Sequence, residues 1–282
     1  MAKSVGFIGM GDIGLPMAKR IAAKYPTTIV GHRRREPIEE MKKLGAKEVG
    51  TAREVGENSD AVIIMVQNDS QAEEVIYGPN GLLNGMREGS GILLMGTFRP
   101  KFCVRVYEDA RKKKVDVLDA PVVGGRMGAE AGKLGISVGG DQKVLEKYRD
   151  VLETMGKVTY CGPIGTGQIF KLANNMCAVV NSRMAYEAIS WGIRCGAKEE
   201  DLVKYMAAGS GSSYILLNWD WMKSIASMDP PPPTYYVGAK DLQYALEIAF
   251  EMLQPCPITA LVKELQVSGP PKLPKPEGKG SL

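Results

Sequence analysis

Two hydrophobic rhythms alternate through the first half of the chain. Short, nearly unbroken apolar runs occur at Ser4 to Ile8, Thr27 to Val30, Asp60 to Val66, Gly91 to Met95, Val115 to Leu118, Ile136 to Val138 and Val158 to Cys161. Such runs suit strands buried on both faces of a sheet. Between them, apolar residues recur at helical spacing. Predicted helices follow Gly14 (Leu15, Met17, Ala18 and Ile21 on one face) and cover Glu36 to Leu44 with Gly45 as C-cap, Asp69 to Ile76, Lys101 to Lys114 and Val144 to Met155. Strand and helix alternating in this way predict an α/β domain with a doubly wound, mainly parallel sheet.

The second half reads as helices only. From Ile169 to about Ile193 the apolar pattern persists without an internal proline. That is long for a globular helix and predicts a helix joining two domains. Further helices are expected over Lys198 to Ala207, Lys240 to Leu253 and Ile258 to Val267, with a polar turn at Gly209 to Tyr214. Trp219, Trp221, Tyr235 and Tyr236 lie on either side of Pro230 to Pro233, and packing in a core or a dimer interface is favoured over a pocket wall for them. The expected domains are 1–163 and 164–282, and the Pro-, Gly- and Lys-rich tail 269–282 is expected to be disordered.

Composition narrows the function. A net charge of +4 with scattered basic residues does not indicate nucleic-acid or membrane binding. No apolar run is long enough for a bilayer span, and no signal peptide is visible, so a cytoplasmic location is expected. The five cysteines are widely spaced and read as reduced packing residues. The single histidine, His32, leaves no His-based metal site and no Ser-His-Asp triad.

The chemistry-bearing stretches lie where strands end. Gly9-Met10-Gly11-Asp12-Ile13-Gly14 is G-x-G-x-x-G between a strand and a helix, the context of a dinucleotide site. Gly9 allows the tight turn, Gly11 lets a pyrophosphate approach, and Gly14 lets the helix pack on the sheet. The helix N-terminus offers amides to the phosphates. After the second strand, where NAD enzymes carry an acid for the ribose hydroxyls, this chain has His32, Arg33 and Arg34. Guanidinium groups clamp a 2′-phosphate, so NADP(H) is the expected cofactor, with NAD(H) possible. Met65, Val66 and Thr97 fall at carboxyl ends of strands, where ligands bind in such sheets. The segment from Val122 to Gly132 reads as a glycine-rich loop in which Gly124 and Gly125 amides form a nest for a carboxylate. Beyond a glycine turn at Gly165 to Gly167, Lys171 and Asn175 stand four apart on one helix face, a cation beside a neutral amide.

Together these blocks resemble the β-hydroxyacid dehydrogenase family, which includes 3-hydroxyisobutyrate dehydrogenases, tartronate semialdehyde reductases and glyoxylate/succinic semialdehyde reductases. The resemblance is carried by Gly6 to Gly11, Asp119-Ala120-Pro121-Val122 with Gly124-Gly125, Gly165-Thr166-Gly167 through Lys171 to Asn174-Asn175, and Lys240-Asp241-Leu242. It extends to about residue 267.

The resemblance implies a Rossmann domain followed by an all-helical domain, with the active site in the cleft between them, in homodimers or homotetramers. It implies an NAD(P)-dependent 3-hydroxyacid dehydrogenase acting on a small hydroxyacid or its aldehyde or keto acid. Lys171 would be the catalytic lysine and Asn175 would hold the substrate. Val123, Gly124, Gly125 and Asp241 would belong to the substrate site, and Thr97 and Lys240 to the nicotinamide end of the cofactor site. Burial in the cleft, Lys240 and the helix dipole would each lower the proton affinity of Lys171. Val123 and Gly96 depart from the pattern, each standing where the family commonly has serine. The loss of a side-chain donor at Val123 points to a bulkier or less polar substrate. Two alternatives are less well matched. Imine reductases generally place aspartate or tyrosine where Lys171 stands, and non-catalytic scaffold members lose the lysine.

Overall fold

The computed structural model describes residues 3–31, 34–229 and 233–274. The chain divides into two compact units, Met1–Lys171 and Leu172–Leu282. The division falls inside a helix, eight residues beyond the expected domain boundary.

The first unit begins β1 (Val5–Ile8), α1 (Gly14–Ala22), β2 (Thr27–Val30), α2 (Glu36–Lys43), β3 (Lys47–Val49), α3 (Ala52–Glu57), β4 (Ala61–Ile64), α4 (Asp69–Tyr77), β5 (Gly91–Leu94) and α5 (Pro100–Lys112). It continues with β6 (Asp116–Asp119), β7 (Val122–Val123), α6 (Gly125–Ala131), β8 (Leu134–Gly139), α7 (Gln142–Leu152), β9 (Gly156–Gly162) and the start of α8 (Thr166–Arg194). The strands form one sheet in the order β3-β2-β1-β4-β5-β6-β8-β7, with β9 beside β8.

The apolar runs are buried on both faces because successive side chains alternate. Phe7, Ile63, Leu93 and Leu118 enter one core, and Ile8, Val62, Ile64, Ile92 and Leu94 enter the other. Each fully buried side chain of this kind contributes about 1.5–3 kcal/mol relative to exposure.

The sheet is mainly parallel, as expected, with an antiparallel element at one side. β8 runs antiparallel to β6 (Asp119↔Gly139) and to β7 (Val122↔Ile136, Val123↔Gly135), while β9 returns parallel to β8. An apolar run carries no direction, so its sequence does not reveal this reversal. The expected loop from Val122 to Gly132 is instead the short strand β7 and the helix α6. Gly124 and Gly132 take left-handed conformations at the two ends of that helix. The polar elements β3 and α3 were absent from the hydrophobic pattern, and Thr51 caps α3 by accepting the Glu54 N–H.

The second unit contains the rest of α8, then α9 (Glu199–Ala208), α10 (Tyr214–Leu217), α11 (Trp219–Ala226), α12 (Pro233–Glu251) and α13 (Pro257–Val267). Helices α10 and α11 occupy ground expected to be turn and aromatic cluster, and α12 starts seven residues before Lys240. The aromatics do not form one group. Trp219 is buried against Tyr186, with ring centroids 4.6 Å apart, whereas Tyr235 pairs edge-on with Tyr236 at 5.3 Å. Trp221 is exposed.

The beginning of the expected disordered tail is ordered. Gly269 O accepts from Arg183 Nη2 at 2.7 Å and from Tyr235 OH at 3.0 Å, and Leu273 packs on the helical core. Residues 275–282 lie outside the described residues. All five cysteines are unpaired thiols, but only Cys103 is buried, and Cys177 is exposed rather than packed. Among the described residues no helix is long and apolar enough to cross a membrane, and no cluster of His, Cys, Asp or Glu has the makings of a metal site.

Candidate active site

The glycine-rich turn after β1 has the shape a dinucleotide requires. Gly9 has φ +103°, and a Cβ there would collide with the Met65 carbonyl. A Cβ on Gly14 would collide with the Gly9 carbonyl, so α1 can lie against the turn only with glycine at that place. Gly11 differs, since a Cβ there would meet no protein atom within 4 Å. Its lack of a side chain serves no packing purpose in the protein and leaves room beside the exposed backbone. Helix α1 has no side-chain cap and no acid in its first turn, whereas Asn68 and Asp141 cap α4 and α7. A bare, positive helix end beside open backbone fits the diphosphate of a nicotinamide cofactor. Met10, Ile13 and Met65 lie half-buried against one core and Val66 against the other, at the carboxyl ends of β1 and β4. Met10, Gly11, Asp12 and Arg34 line one cavity of about 480 Å³.

At the end of β2 the sequence shows no acid, but the fold brings one. Glu48 of β3 has its Oε1 3.0 Å from where a Cβ on Gly31 would stand. It does not stand alone, because Arg35 Nη1 and Nη2 reach its carboxylate at 2.6 and 3.0 Å. Arg35, the nearest cation to Glu48, holds that carboxyl below the usual range, with Lys42 Nζ 3.6 Å away adding to the effect. His32 and Arg33, expected beside the cofactor phosphate, lie outside the described residues.

The start of α8 is fixed by three strand ends. Asp119, wholly buried at the end of β6, accepts the Gly165 N–H at 2.6 Å and the Gln168 N–H at 2.8 Å. Ser137 Oγ of β8 donates to Gly167 O at 3.0 Å. Beyond β5, Gln168 Oε1 accepts the Phe98 N–H and its Nε2 donates to Gly96 O, both at 3.0 Å. Gly167 is glycine because its Cβ would sit 2.7 Å from Asp119 Oδ2. Burial pushes the Asp119 carboxyl up to about 6 even though backbone N–H bonds favour its charged form. Sequence reasoning missed Asp119 and Gln168 as site-building residues. A buried acid flanked by Ala120-Pro121 and a glutamine inside a glycine motif were the available signals.

From that anchored start, α8 presents Lys171, half-buried, and one turn later Asn175. In the second unit, Asn175 Nδ2 donates to Asp241 Oδ2. Asp241 Oδ1 lies 3.2 Å from Lys240 Nζ, within ion-pair range though not aligned as a hydrogen bond. Lys240 Nζ also lies 5.0 Å from the centroid of the Tyr244 ring. The Asp241 side chain has no exposed surface. Asp241, expected among the substrate contacts, thus holds Asn175 and Lys240.

Thr97 stands between the two backbone groups that Gln168 bonds. Gly96, the departure before it, has a steric cause: a Cβ there would lie 2.5 Å from both the Phe98 ring and the Val66 carbonyl. Val123 faces Gly135 across the β7–β8 ladder, with its Cγ2 2.7 Å from where a Gly135 Cβ would be. The valine fills space that its neighbour leaves empty. Gly124 and Gly125, with φ +115° and +60°, form the turn into α6. Their amides belong to a helix start rather than to a loop.

Residues 4–163 match the family described as the NAD-binding domain of 6-phosphogluconate dehydrogenase, and residues 165–275 match the family described as NAD-binding of NADP-dependent 3-hydroxyisobutyrate dehydrogenase. The chain is 35% identical to 2-hydroxy-3-oxopropionate reductase of Escherichia coli over 93% of its own length and 89% of that protein. Its fold is similar to that of a 3-hydroxyisobutyrate dehydrogenase from Salmonella typhimurium, with a TM-score of 0.83 at 21% identity over 94% and 93% of the two chains. An imine reductase from Myxococcus stipitatus is more distant in fold, with a TM-score of 0.61 at 16% identity over 95% and 94%. A dinucleotide turn, a lysine-bearing helix anchored to the strand ends and these matches along nearly the whole chain establish that it belongs to the β-hydroxyacid dehydrogenase family of NAD(P)-dependent oxidoreductases.

Proposed function

We propose that this enzyme interconverts a β-hydroxyacid and the corresponding semialdehyde or keto acid, with Lys171 as general acid and base. The observation that carries the reading is that α8 carries Lys171 and, four residues on, Asn175, whose side chain is fixed by a buried carboxylate. In oxidation Lys171 takes the proton of the substrate hydroxyl, and in reduction it returns that proton to the oxygen as the carbonyl is reduced. When bound, the nicotinamide accepts or supplies the hydride at the same carbon. Asn175, oriented by Asp241, holds the reacting oxygen in line with the lysine. The amides at Gly124 and Gly125 bind the substrate carboxylate.

The cofactor is held by the turn from Gly9 to Gly14, by Met65 and Val66, and by Thr97 and Lys240 towards its nicotinamide end. NADP(H) is preferred over NAD(H), through His32, Arg33 and Arg34. Val123 makes the carboxylate side less polar than a serine would, so branched or aryl β-hydroxyacids are favoured over the smallest ones. Trp191, Phe250 and Leu253 are strongly exposed, which supports a homodimer or homotetramer with these side chains covered.

The test follows absorbance of reduced cofactor while the protein meets aliphatic and aromatic β-hydroxyacids with NADP and with NAD. Turnover by the wild type and its loss on Lys171→Ala, by on the order of a hundredfold or more with cofactor still bound, supports the reading. A Lys171→Ala enzyme near wild-type turnover overturns it. Silence across the panel, with carbonyls active only when an amine is present, turns the assignment to imines.

A further inference from the structure

Gln168 has no exposed surface. A primary amide is stable in such a place only when both of its ends are bonded. Both are, and the two partners, Phe98 N–H and Gly96 O, lie on either side of Thr97. The side chain thus spans the turn after β5 as a neighbouring strand would. Its own N–H is held by Asp119 Oδ2 at 2.8 Å, and the preceding carbonyl by Ser137 Oγ at 3.0 Å. Three positions further on, on the same side of α8, stands Lys171.

We propose that Gln168 is a positioning residue that locks Thr97 and Lys171 into one geometry, so that the nicotinamide end of the cofactor and the proton-transfer group are presented together. The inference rests on the roles given above to Lys171 and Thr97. Glutamine suits the task by its chemistry. It offers an acceptor to Phe98 N–H and a donor to Gly96 O at a single reach. Asparagine carries the same groups one methylene short, methionine has the length and neither group, and ionised glutamate sets an acceptor against the Gly96 carbonyl.

The full chain is assayed for kcat, KM and thermal unfolding, as wild type, Gln168→Met, Gln168→Glu and Lys171→Ala. Gln168→Met is expected to lower kcat about tenfold to a hundredfold in protein that is fully folded at the assay temperature, with KM for the hydroxyacid changed by no more than about threefold. Gln168→Glu supplies a readout that a merely structural role would not move. Protonation of its buried carboxyl restores the donor to Gly96, so its kcat relative to wild type should rise as pH falls from about 8 to about 6. The proposal is overturned by a folded Gln168→Met enzyme within about twofold of wild-type kcat. It is overturned equally by a Gln168→Glu ratio that ignores pH, or by loss of the fold in both variants. Near-normal turnover in Lys171→Ala would sink the underlying assignment instead. Loss of activity there with normal Gln168→Met isolates the failure to the positioning role.

Discussion

Asp119 accepts the Gly165 N–H at 2.6 Å, so a buried carboxylate of β6 holds the residue before the lysine-bearing helix begins. Its second oxygen takes the Gln168 N–H. Because burial raises this carboxyl from 3.8 to about 6, the folded state takes up its proton at higher pH than the unfolded chain. The resulting stability is fully present below about pH 4 and is lost as pH rises through about 6, a span worth about 3 kcal/mol. Asp119→Asn abolishes the titration. Urea unfolding of both proteins should therefore show the difference, wild type minus variant, shrinking between about pH 4 and about pH 7. A difference that stays constant with pH contradicts this.

Asn175 and Asp241 should behave as a unit. Asn175→Ala and Asp241→Asn are each expected to lower kcat about tenfold or more, and the double variant to lose much less than the product of the two. Cofactor titrations alongside separate lost turnover from lost binding. Strict additivity would show that the hydrogen bond between them does not orient the asparagine during turnover.

Cofactor choice should respond to Arg35, whose guanidinium is engaged with Glu48 and Glu39. Arg35→Gln removes the nearer of two cations beside Glu48, leaving Lys42 Nζ at 3.6 Å, and so exposes more of a carboxylate's charge near Gly31. Binding of NADPH, followed by fluorescence, should weaken about fivefold relative to NADH, as expected for an exposed charge. Arg33→Ala and Arg34→Ala should move the ratio in the same direction. If all three leave it unchanged, the basic stretch does not select the cofactor.

Val123→Ser restores a hydroxyl and removes the methyl groups over Gly135. A loss of about 1 kcal/mol in stability is expected, with relative kcat/KM moving towards small polar hydroxyacids. Unaltered selectivity across the substrate panel would place the determinant elsewhere.

Much of this architecture could be read from residue order. The runs at Val5, Ala61 and Gly91 are apolar on both faces because helices cover both, and the dinucleotide turn sits where strand meets helix. Other parts were hidden for physical reasons. β3 is polar and at the sheet edge, so no burial pattern marks Lys47–Val49. The reversal of β8 depends on long-range pairing that a short apolar run does not encode. Lys171 and Asn175 were visible as an i, i+4 pair, but the group orienting the asparagine lies 66 residues away in sequence. Glu48 illustrates the same limit: an acid missing from the end of one strand is supplied by the next.

Gly11 separates two properties that most positions in a binding turn confound. A side chain there would touch nothing in the protein itself. Gly11→Ala should therefore melt with the wild type when cofactor is absent and forfeit the rise in melting temperature that cofactor gives. Such a variant would be a folded, cofactor-blind twin of the enzyme, a reference against which ligand-induced changes elsewhere in the chain can be measured.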